Sequence, residues 1–366
     1  MGKSPRLVYL DWMRGLAILL MLQGHSFHSW LRDDLRGSDL FQLSQLAAGL
    51  PAPLFLFLTG FSLVILLDRS ERGGDSGRQR WLLVLRRAGY IFLMAMLFRL
   101  QLWAFYWPHA PARGLLKVDI LNTMAVALAL SGAMALLAAP RLRMAAAAAC
   151  AVGAAMATPL VWSLPQDALP FFLLDYLKGS VEMASFPLFP WMSYAFTGVL
   201  AGLALAGEKE RSAIDRQMQW MVVVALVLLV AARFFDALPY SYYQPYNYWL
   251  TSPNLVANKT AVVLLLLAAC YAWSHQTDPL RFSCVRQLGQ TSLLIYWVHI
   301  ELVYGRFLGF LQHRLDIPRT ITAIVLLIAA MLLLSLVKTR WARRRREITR
   351  ALPAGPEAVA KPGGGD

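Results

Sequence analysis

Leu10-Asp-Trp-Met-Arg-Gly-Leu-Ala-Ile-Leu-Leu-Met-Leu-Gln-Gly-His-Ser-Phe-His-Ser-Trp30 is long and apolar enough to cross a bilayer, yet it keeps Asp11, Arg14, Gln23, His25 and His28. Ionisable side chains are costly in hydrocarbon, so a span that retains them turns them toward protein or a wet cavity. Arg14 and His25 are eleven residues apart. At about 100° per residue the two side chains fall within about 20° of one another, and the helical rise separates them by roughly 16 Å. Asp11 lies one turn before Arg14, at a spacing where the two can pair. One helical face therefore carries charge near one membrane surface and imidazole near the other.

The rest of the chain repeats the membrane-length pattern. Of 366 residues 58% are hydrophobic, which is too apolar for a soluble domain of this length. Apolar runs predict ten spans, at about 9–29, 46–67, 81–105, 118–138, 144–162, 186–206, 218–235, 255–274, 289–311 and 319–338. Most of the 35 basic residues fall in every second connecting segment, among them Arg69, Arg72, Arg78, Arg80, Arg86, Arg87, Arg141, Arg143 and Arg343 to Arg346. By the positive-inside rule both termini are then cytoplasmic. The expected fold is an all-α polytopic bundle of about ten transmembrane helices, with residues 1–340 as one membrane domain. Residues 341–366 are read as a basic juxtamembrane segment on anionic headgroups, followed by a disordered Pro-, Gly- and Ala-rich tail. Orientation accounts for most of the net charge of +14, so no nucleic-acid partner is expected. Asp11 and Arg14 interrupt the first apolar run and no small-residue cleavage site follows, so it reads as a retained span and not a signal peptide. Cys150, Cys270 and Cys284 have no metal-type spacing, and neither a disulfide nor a metal site is expected.

Several groups stand out against this background. In the first span, histidine is the side chain whose ordinary pKa lies nearest physiological pH and thus suits a general base. Arg14 stays charged and can hold an anion. The same residues can equally form a structural polar network between helices. After the second span, Arg69 and Arg72 are near enough to grip one anionic group, although positive-inside charge explains them as well. Pro51 and Pro53 should kink or delay the start of that span. Arg99 lies inside the third span, either functional or snorkelling outward. Asp119 and Asn122 open the fourth, as partners of Arg99, as acceptor contacts or, for Asp119, as a helix cap. His299 and Glu301 lie in the ninth span, two residues apart on different faces. The outer segment 234–249 is rich in Tyr, Pro and Asn, as a sugar platform or an interfacial belt. The loop 163–185, with Asp167, Asp175, Lys178 and Glu182, is a further place for an acceptor.

Arg14–x10–His25, Arg69–x2–Arg72 and ten spans with both ends inside resemble the acyltransferase-3 family of integral membrane enzymes. Asp11-Trp-Met-Arg-Gly-Leu-Ala-Ile-Leu-Leu-Met21, Phe55-Leu-Phe-Leu-Thr-Gly60, Phe186-Pro-Leu-Phe-Pro-Trp191 and Gly289-Gln-Thr-Ser-Leu-Leu-Ile-Tyr-Trp-Val-His299 look closer to bacterial heparan-α-glucosaminide N-acetyltransferase-like proteins. The resemblance implies transfer of an acyl group, usually acetyl, from cytoplasmic acetyl-CoA to a hydroxyl or amine of a carbohydrate-type acceptor. It places Arg14 and His25 in the catalytic centre, with His28 as the rival imidazole, and Arg69 and Arg72 on the CoA phosphates. Arg86 and Arg87, at the inner end of the third span, are further candidates for those phosphates. Arg99, Asn122, His299 and Glu301 are candidate acceptor contacts. The expected partners are the lipid bilayer, acyl-CoA and an envelope acceptor, and the expected location is the bacterial cytoplasmic (inner) membrane. A proton-coupled transporter using Asp11, Arg14, His25 and Arg99 as a relay is the alternative from another class. A non-catalytic envelope scaffold is a third reading, but it would not need charges aligned within the first span. The oligomeric state is not readable.

Overall fold

The computed structural model describes residues 7–109, 111–180, 185–206, 210–241, 243, 246–278 and 281–351. Lys3, Arg6, Glu182, Lys209 and the tail beyond Ala351 lie outside these residues. The described chain is almost wholly helical and has no named strand. In order the helices are α1 (Val8–Trp30), α2 (Asp39–Ala48), α3 (Pro51–Arg72), α4 (Gly77–Tyr106), α5 (Ile120–Gly132), α6 (Pro140–Trp162) and α7 (Phe171–Leu177). They continue as α8 (Leu188–Leu205), α9 (Arg211–Asp236), α10 (Pro253–Gln276), α11 (Cys284–Gln290), α12 (Ser292–Val303) and α13 (Ile317–Ala351). Among the described residues, seven stretches are long and apolar enough to cross a membrane: α2 with α3, then α4, α6, α8, α9, α10 and α13. The protein is a polytopic helical membrane protein. The helix α5 with its 3-10 extension, and α12, are apolar but shorter.

The 23 residues of α1 give it the length of a span, but its polar residues reduce its hydropathy. Its position explains why it keeps them. It packs against α2, α3, α10, α11, α12 and α13, so it runs through the middle of the bundle. Met13, Ala17, Ile18 and Leu22 are fully buried along it. Polar groups on such a helix meet protein on every side, and the hydrocarbon cost falls away if each finds a partner.

Local chemistry sets the other boundaries. The second span starts later than its apolar run because α2 ends at Ala48, and Pro51 then begins α3, a position where its missing N–H costs nothing. Ser76 opens α4 through a reciprocal capping box with Gln79. The apolar run predicts the ninth span as one helix over 289–311. It is broken instead at Thr291 and ends at Val303. The break is held by α13, where Ser335 Oγ accepts from Thr291 at 2.6 Å and from Gln287 at 2.8 Å. Ser335 donates in turn to the Gln287 carbonyl at 3.0 Å. The last helix runs on to Ala351, carrying Arg343 to Arg345 on helical backbone.

Close crossings lock the bundle. At the α3–α8 crossing Gly60 lies against the Ala195 carbonyl and Gly198 against the Phe57 carbonyl, so near that an added Cβ would sit 1.9 Å from either oxygen. Small residues allow backbones this close, and packing is the main attraction between helices in lipid. Gly198→Leu should therefore force α3 and α8 apart and cost about 1–3 kcal/mol or more. A clear drop in the detergent melting temperature is expected, whereas Gly89→Leu, at a glycine with nothing within 4 Å, should leave it nearly unchanged.

Candidate functional site

The helix α1 carries both halves of the site, and beside it lies α11–α12, of which α12 runs in the same direction. Gly15 packs on the Val285 backbone near the start of both, and Gly289 lies on the Asp11 carbonyl. At the other end Ser29 Oγ donates to the Val303 carbonyl at 2.7 Å, and His313 N–H donates to the Ser29 carbonyl at 3.0 Å. The two segments are thus pinned at both ends, and their imidazoles meet between the pins.

His25 Nδ1 lies 2.9 Å from His299 Nε2, with the rings nearly parallel at 7°. His299 is fully buried, and its Nδ1 lies 2.9 Å from the Ile295 carbonyl. A carbonyl only accepts, so His299 Nδ1 carries the hydrogen. In a neutral ring its Nε2 is then the acceptor, and His25 Nδ1 must be the donor. The hydrogen-bond network fixes both tautomers and leaves His25 Nε2 with an open lone pair. His28 sits farther out, is exposed, and meets the Tyr304 hydroxyl at 3.4 Å. Tyr304 also edges His25, with ring centroids 5.5 Å apart.

Toward the start of α1, Arg14 pairs with Asp11 at 3.3 Å and donates to Ser62 Oγ on α3 at 2.7 Å. It lines a cavity of about 150 Å³ with Arg87 of α4, Thr59 and Ser62 of α3, Met124 of α5 and Ser292. Ser292 is the first residue of α12, so the break at Thr291 turns a helix N-terminus toward this space. Two guanidinium groups and a positive helix end favour an anionic or polarised-oxygen ligand. Arg86 is exposed and does not line the cavity. Arg69 is exposed at the end of α3, and Arg72 pairs with Asp68 at 2.7 Å. The same helix end holds a cluster that the sequence reading missed: Glu71 between Arg80 at 2.6 Å and Arg143 at 2.8 Å. No helical period links those three residues, because they come from different elements.

Arg99 and Asp119 form a buried ion pair at 2.7 Å between α4 and the start of α5. Asp119 also caps α5, accepting from Leu121 N–H at 3.0 Å, so it is cap and counter-ion together. Asn122 is fully buried, with its carboxamide engaged by the Asp119 N–H at 3.3 Å and the Tyr176 hydroxyl at 3.2 Å. Glu301 is buried and accepts from Gln101 at 2.7 Å, while Gln101 accepts from Trp297 at 2.7 Å. Gln101 gives no signal in the sequence, since an amide within an apolar run resembles many neutral positions. His299 and Glu301 do point apart, one to α1 and the other to α4.

Breaking one partner of a buried ion pair strands the other charge, which costs about 3–5 kcal/mol. Asp119→Asn, which keeps the cap, should therefore destabilise the protein strongly, and more than the double change Arg99→Met with Asp119→Asn. Melting curves of the three proteins in one detergent check this order.

The comparison with curated proteins returns no match. The family model described as "Heparan-alpha-glucosaminide N-acetyltransferase, catalytic" matches residues 6–245. The matched part holds Asp11, Arg14, His25, Arg87 and Arg99, while His299 lies beyond it. With more than half of its length matched, the chain belongs to the heparan-alpha-glucosaminide N-acetyltransferase catalytic family.

Proposed function

We propose that the protein moves an acetyl group from cytoplasmic acetyl-CoA to a hydroxyl or amine of a carbohydrate-type acceptor, across a bacterial cytoplasmic (inner) membrane with both termini inside. The His25–His299 hydrogen bond carries this reading. It fixes His25 with Nδ1 as donor and Nε2 open, the state that a general base needs. His25 Nε2 takes the acceptor proton as the acceptor's oxygen or nitrogen bonds to the acyl carbon. It returns that proton to the sulfur as the carbon–sulfur bond breaks. While His25 is charged, His299 Nε2 accepts from its Nδ1–H, and the Ile295 carbonyl holds His299 in that tautomer.

Arg14, Arg87 and the start of α12 support binding of the donor from the cytoplasmic side, where the cavity among them would take anionic or polarised oxygens. Arg69 and Arg72, at the inner end of α3, stand as further phosphate contacts. Roughly 16 Å of helix separates Arg14 from His25, comparable with the reach of the thin arm of CoA between its phosphates and its thioester. Phe55 lines the Arg14 cavity, and Tyr296 lies edge-on to His299 with ring centroids 5.8 Å apart. Membership of the acyltransferase-3 superfamily is part of this reading.

The test uses labelled acetyl-CoA on inverted membrane vesicles loaded with amino-sugar acceptors. His25→Ala should lower kcat about 10²–10⁴-fold, the usual worth of a general base. His299→Ala should lower kcat less and shift the pH profile, and His28→Ala should show the smallest loss. Arg87→Gln should raise KM for acetyl-CoA about tenfold, the worth of one charged hydrogen bond, with little change in kcat. Undiminished transfer by His25→Ala would overturn the proposal.

A further inference from the structure

Lys259 lies six residues into α10, roughly 9 Å along the helix from its first residue. Its ammonium sits 5.7 Å from the centroid of the Trp191 ring. No ion pair or hydrogen bond engages it among the described residues. It lines a cavity of about 370 Å³ with Trp162, Trp191, Trp249, Tyr194 and Ser252. No carboxylate is among the described residues lining that space. Asp175 is hydrogen-bonded to Ser180 at the rim and drawn to Arg113, and burial pushes its carboxyl above the ordinary range. Lys178 is spent on the Leu164 carbonyl.

An ammonium at this depth is costly unless something answers its charge. The Trp191 face offsets part of that cost. The indole faces around it suit a sugar ring or a hydrocarbon chain. A short chain of contacts links the cavity to the helix that carries His25. Lys259 Nζ is 3.5 Å from where a Cβ would stand on Gly49. The preceding Ala48 packs on Gly24, next to His25.

We propose that this cavity is a subsite for an oxyanion carried by the acceptor, a phosphate or carboxylate, with Lys259 holding the charge and the tryptophans holding the body attached to it. The assignment to the acceptor rests on the acyl-transfer reading above; the anion site itself does not. The oxyanion has two sources, a lipid phosphate and a soluble sugar acid.

The experiment measures binding of dihexanoyl phosphatidate and of glucuronate to the full-length protein in detergent, with acetyl-CoA binding measured in parallel. Wild type should bind at least one probe. Lys259→Met should weaken that binding about ten- to hundredfold, the worth of a charged hydrogen bond, and Lys259→Arg should keep most of it. Both variants should bind acetyl-CoA like wild type. Binding of phosphatidate alone identifies the lipid source, and binding of glucuronate alone the sugar acid. In wild type, the bound probe should also protect the Lys259 amine from an amine-reactive label, read by mass spectrometry, which needs no variant to fold. No binding of either probe, equal binding to Lys259→Met, or no protection would overturn the proposal. If acetyl-CoA fails to bind wild type while the anion still needs Lys259, the transferase reading falls and the subsite stands.

Discussion

A polar side chain within an apolar bundle must find a partner, and the structure is arranged around meeting that demand along α1. Hydrocarbon offers nothing to Asp11, Arg14, His25 or Ser29, so the helix that carries them is wrapped by six others. They find their answers on two neighbours: Ser62 on α3 for Arg14, and on α12 His299 for His25 and the Val303 carbonyl for Ser29. Glycines at 15 and 289 let the backbones come close enough for those bonds to form. The packing and the polar network are one arrangement, since neither closes without the other.

This arrangement divides the interior into two levels. At one level are the Arg14–Arg87 cavity and the start of α12, rich in positive charge. At the other are the imidazole pair and, past the junction of α2 and α3, the aromatic cavity of Lys259. Apolar side chains adjoin both, Phe55 at the first and Tyr296 at the second. The proposed acyl transfer from one face of the membrane to the other calls for this sequence of environments: anion-binding, apolar, then basic.

Much of this was legible in the sequence, for definite reasons. Apolar runs of membrane length and alternating arginines are properties of single segments, so the spans could be placed without knowing what they touch. The shared face of Arg14 and His25 follows from helical geometry alone. The encounter of His25 with His299 could not be read, because 274 residues separate them and no periodicity within α1 says which helix it will meet. The break at Thr291 was hidden for a similar reason. It depends on Ser335, a residue of unremarkable type in another helix. Asp119 shows the intermediate case. Its position announced either a cap or a counter-ion, and only three dimensions reveal that two oxygens let it be both.

The family match stops at residue 245, whereas the imidazole that orients His25 stands on α12, well past that point. As the chain is made, α1 therefore carries one imidazole of the pair, and the second arrives only with α12, after the ten helices α2 to α11. Until then α1 holds an unanswered histidine inside a growing assembly. On the proposed acyl transfer, the pair that would do the chemistry closes only when most of the bundle has been made.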